Sequence, residues 1–335
     1  MEYRRLGSTG LEVSPVCLGT WRFGKETGGV VETARGDAHE LLDAYAERGG
    51  NFIDTANGYG GGDSERWIGE WLDDRDREDF VVASKCFWST VSRFQENLSK
   101  KNVRAEVEGS LDRLGTDYLD VLYLHRFDDE TPVEHTLRAV DDLVSDGKVH
   151  YVGISTCEAW KLAKGLWKAD VNNYEAFSVT QPLFHAAYYE DVAEYLDVCA
   201  DQDIAVCPYS PLAGGFLTGK YERVGDGTYD IDAPADTRAD FDEMFTDWYV
   251  SERGWHVLDE VRAVADEADA TPAQVALRWL MDQPDFDCVP IVGARTVDQL
   301  DENLDAIGVS ITDEQFDRIF EARYDEDGDL YETNA

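Results

Sequence analysis

The feature that most constrains this chain is a rhythm. Short apolar runs alternate with amphipathic segments eight times between Val16 and Ile307. The predicted strands are Val16–Gly19, Asn51–Asp54, Phe80–Ser84, Leu119–Leu124, Val149–Ile154, Phe177–Gln181, Ile204–Cys207 and Cys288–Val292. Between them lie residues at helical spacing, such as Val103, Val107, Leu111 and Leu114. Strict strand–helix alternation builds a parallel sheet. Two architectures satisfy it, a doubly wound sheet and a closed (β/α)8 barrel. The dinucleotide-binding doubly wound form needs G-x-G-x-x-G after its first strand. Here Thr20-Trp21-Arg22-Phe23-Gly24 stands in that place. Eight units in 335 residues favour an α/β fold of the (β/α)8 TIM barrel type, with an N-terminal β-hairpin and extended loops on the C-terminal face. Residues 1–335 are read as one domain, with a disordered acidic tail over 325–335. The rhythm breaks at 213–250, a stretch rich in Gly, Asp and aromatics whose length suggests a functional or mobile loop.

In a parallel α/β fold, ligands gather at the C-terminal ends of the strands. Asp54 ends the second strand, Lys85 follows the third and His125 follows the fourth. Neighbouring strands stand about 4.8 Å apart, so the three side chains meet on one rim. Tyr59, on the glycine-rich loop beyond Asp54, can fold back to join them. A lysine ammonium beside a phenol favours the phenolate and draws its ordinary pKa of about 10 toward neutrality. Asp54 keeps Lys85 charged and in place, which makes Tyr59 a usable general acid, and His125 can orient a substrate carbonyl. A proton donor aimed at a carbonyl oxygen, with neither nucleophile nor metal, suits hydride addition from a cofactor. Taken singly, Asp54 and Lys85 could be a structural ion pair and His125 a satisfied strand-end histidine. Their placement on consecutive units argues against that.

The surrounding motifs resemble the aldo-keto reductase superfamily. They are Phe52-Ile53-Asp54-Thr55-Ala56-x-x-Tyr59-Gly60, Ala83-Ser84-Lys85, Leu122-Tyr123-Leu124-His125 and Gly147-Lys148-Val149-x-Tyr151-Val152-Gly153-Ile154-Ser155. The likeness runs from Tyr3 to Asn303. It implies a (β/α)8 barrel, an NAD(P)H cofactor lying extended over the strand ends, and a catalytic tetrad of Asp54, Tyr59, Lys85 and His125. It implies that Ser155 and Gln181 hydrogen-bond the nicotinamide carboxamide and that Tyr209 stacks on the ring. By the same likeness, the loop of Ser210, Leu212 and Gly214 meets the pyrophosphate, and Gly293, Arg295, Gln299 and Asn303 grip the adenosine end. The sequence departs from common family patterns at Thr156, where many relatives have asparagine. It also departs at Gly293, where many NADPH-preferring members have lysine, and at Gln299, where many have arginine. NADP(H) is favoured over NAD(H) because Arg295 suits a 2′-phosphate. Ser155 and Gln299 also admit helix-capping readings, with Glu158 and Thr296 as partners.

The expected activity is NAD(P)H-dependent reduction of aldehydes or ketones, with Tyr59 as proton donor. Trp21, Trp88 and Phe127 follow strands one, three and four. They are candidates for an apolar substrate pocket, or equally for packing of the loops. Two alternatives stand: a cofactor-binding regulatory subunit with vestigial turnover, as the channel β-subunits of the superfamily are, and an oxidative sugar or polyol dehydrogenase.

Composition bounds the partners. The net charge is −40, from 70 acidic and 30 basic residues spread along the chain. Such a field repels nucleic acid and anionic membranes. It is best tolerated in strong salt, where the Debye length falls to about 3 Å at 1 M, so the reading is a cytoplasmic protein of a salt-accumulating microbe. No secretory leader and no apolar stretch long enough to span a bilayer is seen. The six cysteines form no C-x-x-C pair and read as reduced, mostly buried thiols. No H-E-x-x-H or clustered histidines suggest a metal.

Overall fold

The computed structural model describes residues 1–27, 29–91, 96–225, 231–234, 237–241 and 244–332. The chain forms two compact units. The first comprises Met1–Pro182, Val192–Pro208 and Pro284–Asp301; the second comprises Leu183–Asp191, Tyr209–Gln283 and Glu302–Ala335.

The first unit holds eight parallel strands: β1 (Cys17–Gly19), β2 (Phe52–Asp54), β3 (Val81–Cys86), β4 (Leu119–Leu124), β5 (Val149–Ser155), β6 (Phe177–Gln181), β7 (Ala205–Val206) and β8 (Ile291–Val292). Their spatial order is β7-β6-β5-β4-β3-β2-β1-β8. The two ends meet: the Val206 amide donates to the Asp287 carbonyl at 2.8 Å and the Val289 amide to the Val206 carbonyl at 2.9 Å. The sheet is therefore a closed (β/α)8 barrel. Its outer helices are α1 (Arg35–Glu47), α2 (Asp63–Leu72), α3 (Lys100–Leu114), α4 (Val133–Ser145), α5 (Ala159–Asn172) and α6 (Ala193–Asp201).

Alternate strand residues fill one interior cluster, including Phe52, Ala83, Val121, Tyr123, Val179 and Cys207, joined by Leu6 and Val13 of the N-terminal hairpin. The space is tight. A Cβ at Gly153 would lie 2.5 Å from the Tyr123 ring, so the strand beside that ring needs glycine. Outside, α3 buries Val103, Val107, Leu111 and Leu114, as their spacing predicts. The start of α4 has no side-chain cap. Asp128 accepts from the Glu130 and Thr131 amides instead, and Pro132 precedes the first helical residue.

The second unit is built from α7 (Arg238–Phe241), α8 (Phe245–Tyr249), α9 (Glu252–Ala268), α10 (Pro272–Met281), the later part of α11 (Val297–Asp305) and α12 (Asp313–Glu321). It is separate because it has its own apolar centre, with Phe216, Phe245, Trp255, Leu258 and Trp279 buried. Capping boxes form at Thr271/Gln274 and Thr312/Gln315. Residues 325–332 of the acidic tail are among the described residues. Asp325 Oδ1 accepts from the Asp327 and Asp329 amides, and the Tyr331 ring stacks 4.0 Å from that of His256. Residues 333–335 lie outside the described residues. Among the described residues, no helix is long and apolar enough to cross a membrane.

Candidate active site

Asp54, Lys85 and His125 lie on adjacent strand ends of the first unit. Strand β3 runs to Cys86, so Lys85 sits inside it rather than beyond it. The fully buried Lys85 ammonium donates to Asp54 Oδ1 at 2.5 Å and to the Thr55 carbonyl at 2.8 Å. Gln181 Nε2 donates to Asp54 Oδ2 at 2.8 Å, so both carboxylate oxygens are engaged. Tyr59 returns on a tight turn in which Gly60 has a φ of 58° and a Cβ would run into the Phe23 carbonyl oxygen. That backbone state favours glycine. The Lys85 ammonium stands 4.8 Å from the centre of the Tyr59 ring, and the His125 ring meets it edge-on at 6.0 Å. All four predicted residues are thus brought together.

The electrostatics differ from the sequence reading at Tyr59. Burial raises the phenol pKa above its ordinary value, and although Lys85 opposes this, the net shift is upward. The nearby cation alone predicts a fall; desolvation of the phenolate reverses it. At Lys85, burial disfavours the charge, but Asp54 and Tyr59 outweigh it and the pKa rises. His125 is pushed down to about 2 by burial and then by the Lys85 charge, so its imidazole is neutral. Its buried Nδ1 has no hydrogen-bond partner among the described residues.

Of the residues linked to a cofactor, Ser155 and Gln181 are paired across β5 and β6, and Ser155 Oγ donates to the Gln181 carbonyl at 2.8 Å. Ser155 is not the cap of α5, which begins after Glu158. Thr156 has a φ of 45°, unusual for a β-branched residue. Gln299 does take its capping role: Oε1 accepts from the Arg295 amide at 3.0 Å, and its own amide donates to Thr296 Oγ1 at 3.3 Å. Gly293 is open: a Cβ there would find the Gly19 carbonyl oxygen, 3.9 Å away, as its nearest neighbour.

In the second unit, Tyr209 and Leu212 are half-buried and Asn303 is buried. Ser210, Ala213, Gly214 and Gly215 all have positive φ, from 50° to 102°. Left-handed residues in a curled loop turn amides toward one concave face, which suits phosphate oxygens. Ser210 Oγ lies 3.1 Å from Tyr249 Oη, and a Cβ at Gly214 would come within 2.7 Å of the Tyr249 ring.

Among the substrate candidates, Trp88 meets the His125 ring edge-on at 4.7 Å and remains 41% exposed. Trp21 is also exposed, with the Lys25 ammonium 3.3 Å from its ring centre. Phe127 is buried and lines a small cavity with Leu124, Val133, Ile154 and Phe177. The sequence reading missed Asn57 and Glu106. Their signal was polar side chains at buried positions, Glu106 lying between Val103 and Val107 on the inner face of α3.

Residues 15–323 match the profile of the Aldo/keto reductase family. Norsolorinic acid reductase B of Aspergillus parasiticus is 37% identical over 328 residues, covering 95% of this chain and 83% of that protein. A probable voltage-gated potassium channel subunit beta of Arabidopsis thaliana is 31% identical over 320 residues, covering 92% of each. A crystal structure of a thermostable aldo-keto reductase with the inhibitor epalrestat superposes with a TM-score of 0.74 at 26% identity, over 96% of this chain and all of that one. The fold and its strand-end site define an oxidoreductase of the barrel type. The chain belongs to the aldo/keto reductase family.

Proposed function

We propose that the chain is an NADP(H)-dependent reductase of aldehydes or ketones, with Asp54, Tyr59, Lys85 and His125 as its catalytic groups. The observation that carries this is the buried Lys85 ammonium, held by Asp54 and facing the Tyr59 ring. When bound, the nicotinamide supplies a hydride to the carbonyl carbon. Tyr59, kept protonated by burial, gives its proton to the carbonyl oxygen, and Lys85 stabilises the phenolate left behind. Asp54, braced by Gln181, keeps Lys85 charged and aimed. His125, being neutral, offers an N–H to the same oxygen.

In the first unit, Ser155 and Gln181 would hold the carboxamide, while Gly293, Arg295 and Gln299 would hold the adenosine end, with Arg295 on the 2′-phosphate. In the second unit taken by itself, the positive-φ loop of Ser210, Ala213 and Gly214 has amides suited to phosphate oxygens. The acid-rich composition supports a cytoplasmic role in strong salt.

The test is NADPH and NADH oxidation with an aromatic aldehyde, methylglyoxal and a sugar, in dilute buffer and in molar KCl. Tyr59→Phe should lower turnover by orders of magnitude while sparing cofactor affinity; near-normal turnover would remove Tyr59 from the mechanism. The channel-subunit relative motivates a second reading, a cofactor-binding regulatory subunit. Tight cofactor binding without turnover across the panel would favour it.

A further inference from the structure

Trp88 lies on a loop, yet it meets His125 at a defined edge-on angle of 82°. Most of the loop's ties converge on one side chain. Glu106 of α3 is fully buried, and its carboxylate accepts from Ser89 Oγ at 2.7 Å, Thr90 Oγ1 at 2.6 Å, the Thr90 amide at 3.0 and 3.1 Å, and the Val91 amide at 3.2 Å. It also accepts from Asn57 Nδ2 at 2.8 Å. Asn57 Nδ2 in turn donates to the Trp88 carbonyl at 2.7 Å, and the Asn57 amide donates to the Lys85 carbonyl at 3.3 Å. Asn102 adds a second tie, from Nδ2 to the Phe87 carbonyl at 3.0 Å. One carboxylate therefore fastens both the Trp88 loop and the turn that carries Tyr59.

We propose that Glu106 is a positioning residue that sets substrate class: it fixes Trp88 as a rigid wall beside His125 and so selects aryl aldehydes and ketones over small aliphatic ones. This rests on the reading of the chain as a carbonyl reductase. A wall already ordered costs a planar ligand little further loss of freedom. Aromatic rings favour offset or edge contacts with such a ligand beyond the gain from burial alone. Glu106 suits the task because a buried carboxylate is stable only while its donors stay in place. Its pKa, raised by burial, is more than brought back down by Thr90, Ser89 and Asn57. The same donors are thereby held to it.

The experiment compares kcat/KM for a substituted benzaldehyde and for propanal in the parent protein, Trp88→Ala, Glu106→Ala, Glu106→Gln and the Trp88→Ala/Glu106→Ala double variant. Trp88→Ala should lower the aryl-to-alkyl ratio by about tenfold, the scale of one lost pocket contact. Glu106→Ala should do the same, Glu106→Gln less, and the double variant no more than Trp88→Ala, with NADPH affinity unchanged throughout. Equal losses for both aldehydes, or additive losses in the double variant, overturn the proposal. A second readout needs no turnover. In 5-fluorotryptophan protein, the Trp88 19F signal, assigned by its loss in Trp88→Phe, should broaden in Glu106→Ala and partly in Glu106→Gln. If Glu106→Ala fails to fold, Glu106→Gln carries both readouts, and an unchanged 19F signal in the folded variant refutes the positioning role. A parent protein that binds NADPH but reduces neither aldehyde defeats the reductase reading instead, and the 19F result still judges the contact.

Discussion

Replacing Asp54 by asparagine tests the buried pair at the centre of the site. The change keeps shape but removes a charge that lies 2.5 Å from the fully buried Lys85 ammonium. Breaking one partner of such a pair costs about 3–5 kcal/mol, because the other charge is left uncompensated. For 335 residues, an unfolding entropy of about 0.7 kcal/mol per kelvin converts this to a Tm lower by about 4–7 °C. The dependence on pH also changes. In the parent, the Lys85 pKa is raised. Its contribution is therefore present below the unfolded lysine value of about 10.4 and lost as pH rises through the folded value. In Asp54→Asn, burial dominates and the folded Lys85 value drops below the unfolded one. Between the two, the unfolded chain binds more protons, so stability rises with pH by up to about 1.4 kcal/mol per unit. Urea denaturation of both proteins at pH 6, 7.5 and 9, at fixed KCl, reads the effect. Asp54→Asn should approach the parent in stability as pH rises, and Asp54→Asn/Lys85→Met should recover most of the loss at every pH. A variant whose deficit is constant or grows with pH would refute the assignment of an uncompensated buried ammonium.

Three further outcomes are expected. The His125 pKa is held near about 2, so kcat/KM should show no inflection from this residue between pH 4 and 8 (about the range of ordinary assays). An inflection near 6.5 that His125→Gln abolishes would contradict the neutral imidazole. Gly293→Lys places an ammonium where a Cβ meets no close neighbour, and it should raise the NADPH-over-NADH preference about tenfold in dilute buffer and less in molar salt. An unchanged ratio in dilute buffer would separate this position from the 2′-phosphate. Because the chain carries a net charge of −40, its melting temperature should climb from dilute buffer to molar KCl, and a flat curve would end the strong-salt reading.

The sequence alone determined the barrel and the meeting of four side chains. Strand and helix periods report which face of each segment is apolar, and parallel connection puts every strand's C-terminal end on one rim. Asp54, Lys85 and His125 on consecutive units could therefore be placed together from spacing, with Tyr59 added by the glycine turn. Other features were decided by residues remote in the chain. Tyr59 has its pKa raised because burial outweighs Lys85, and burial is the sum of everything that surrounds the ring. Gln181 reaches Asp54 across 127 positions, and Glu106 gathers the 89–91 loop and Asn57. No local period encodes such contacts. Phe127, though beyond a strand like Trp88, turns into the core, and the 209–283 stretch builds a centre of its own. Pattern fixes direction along an element, whereas the energy of a charge or a ring depends on which distant segments exclude water from it.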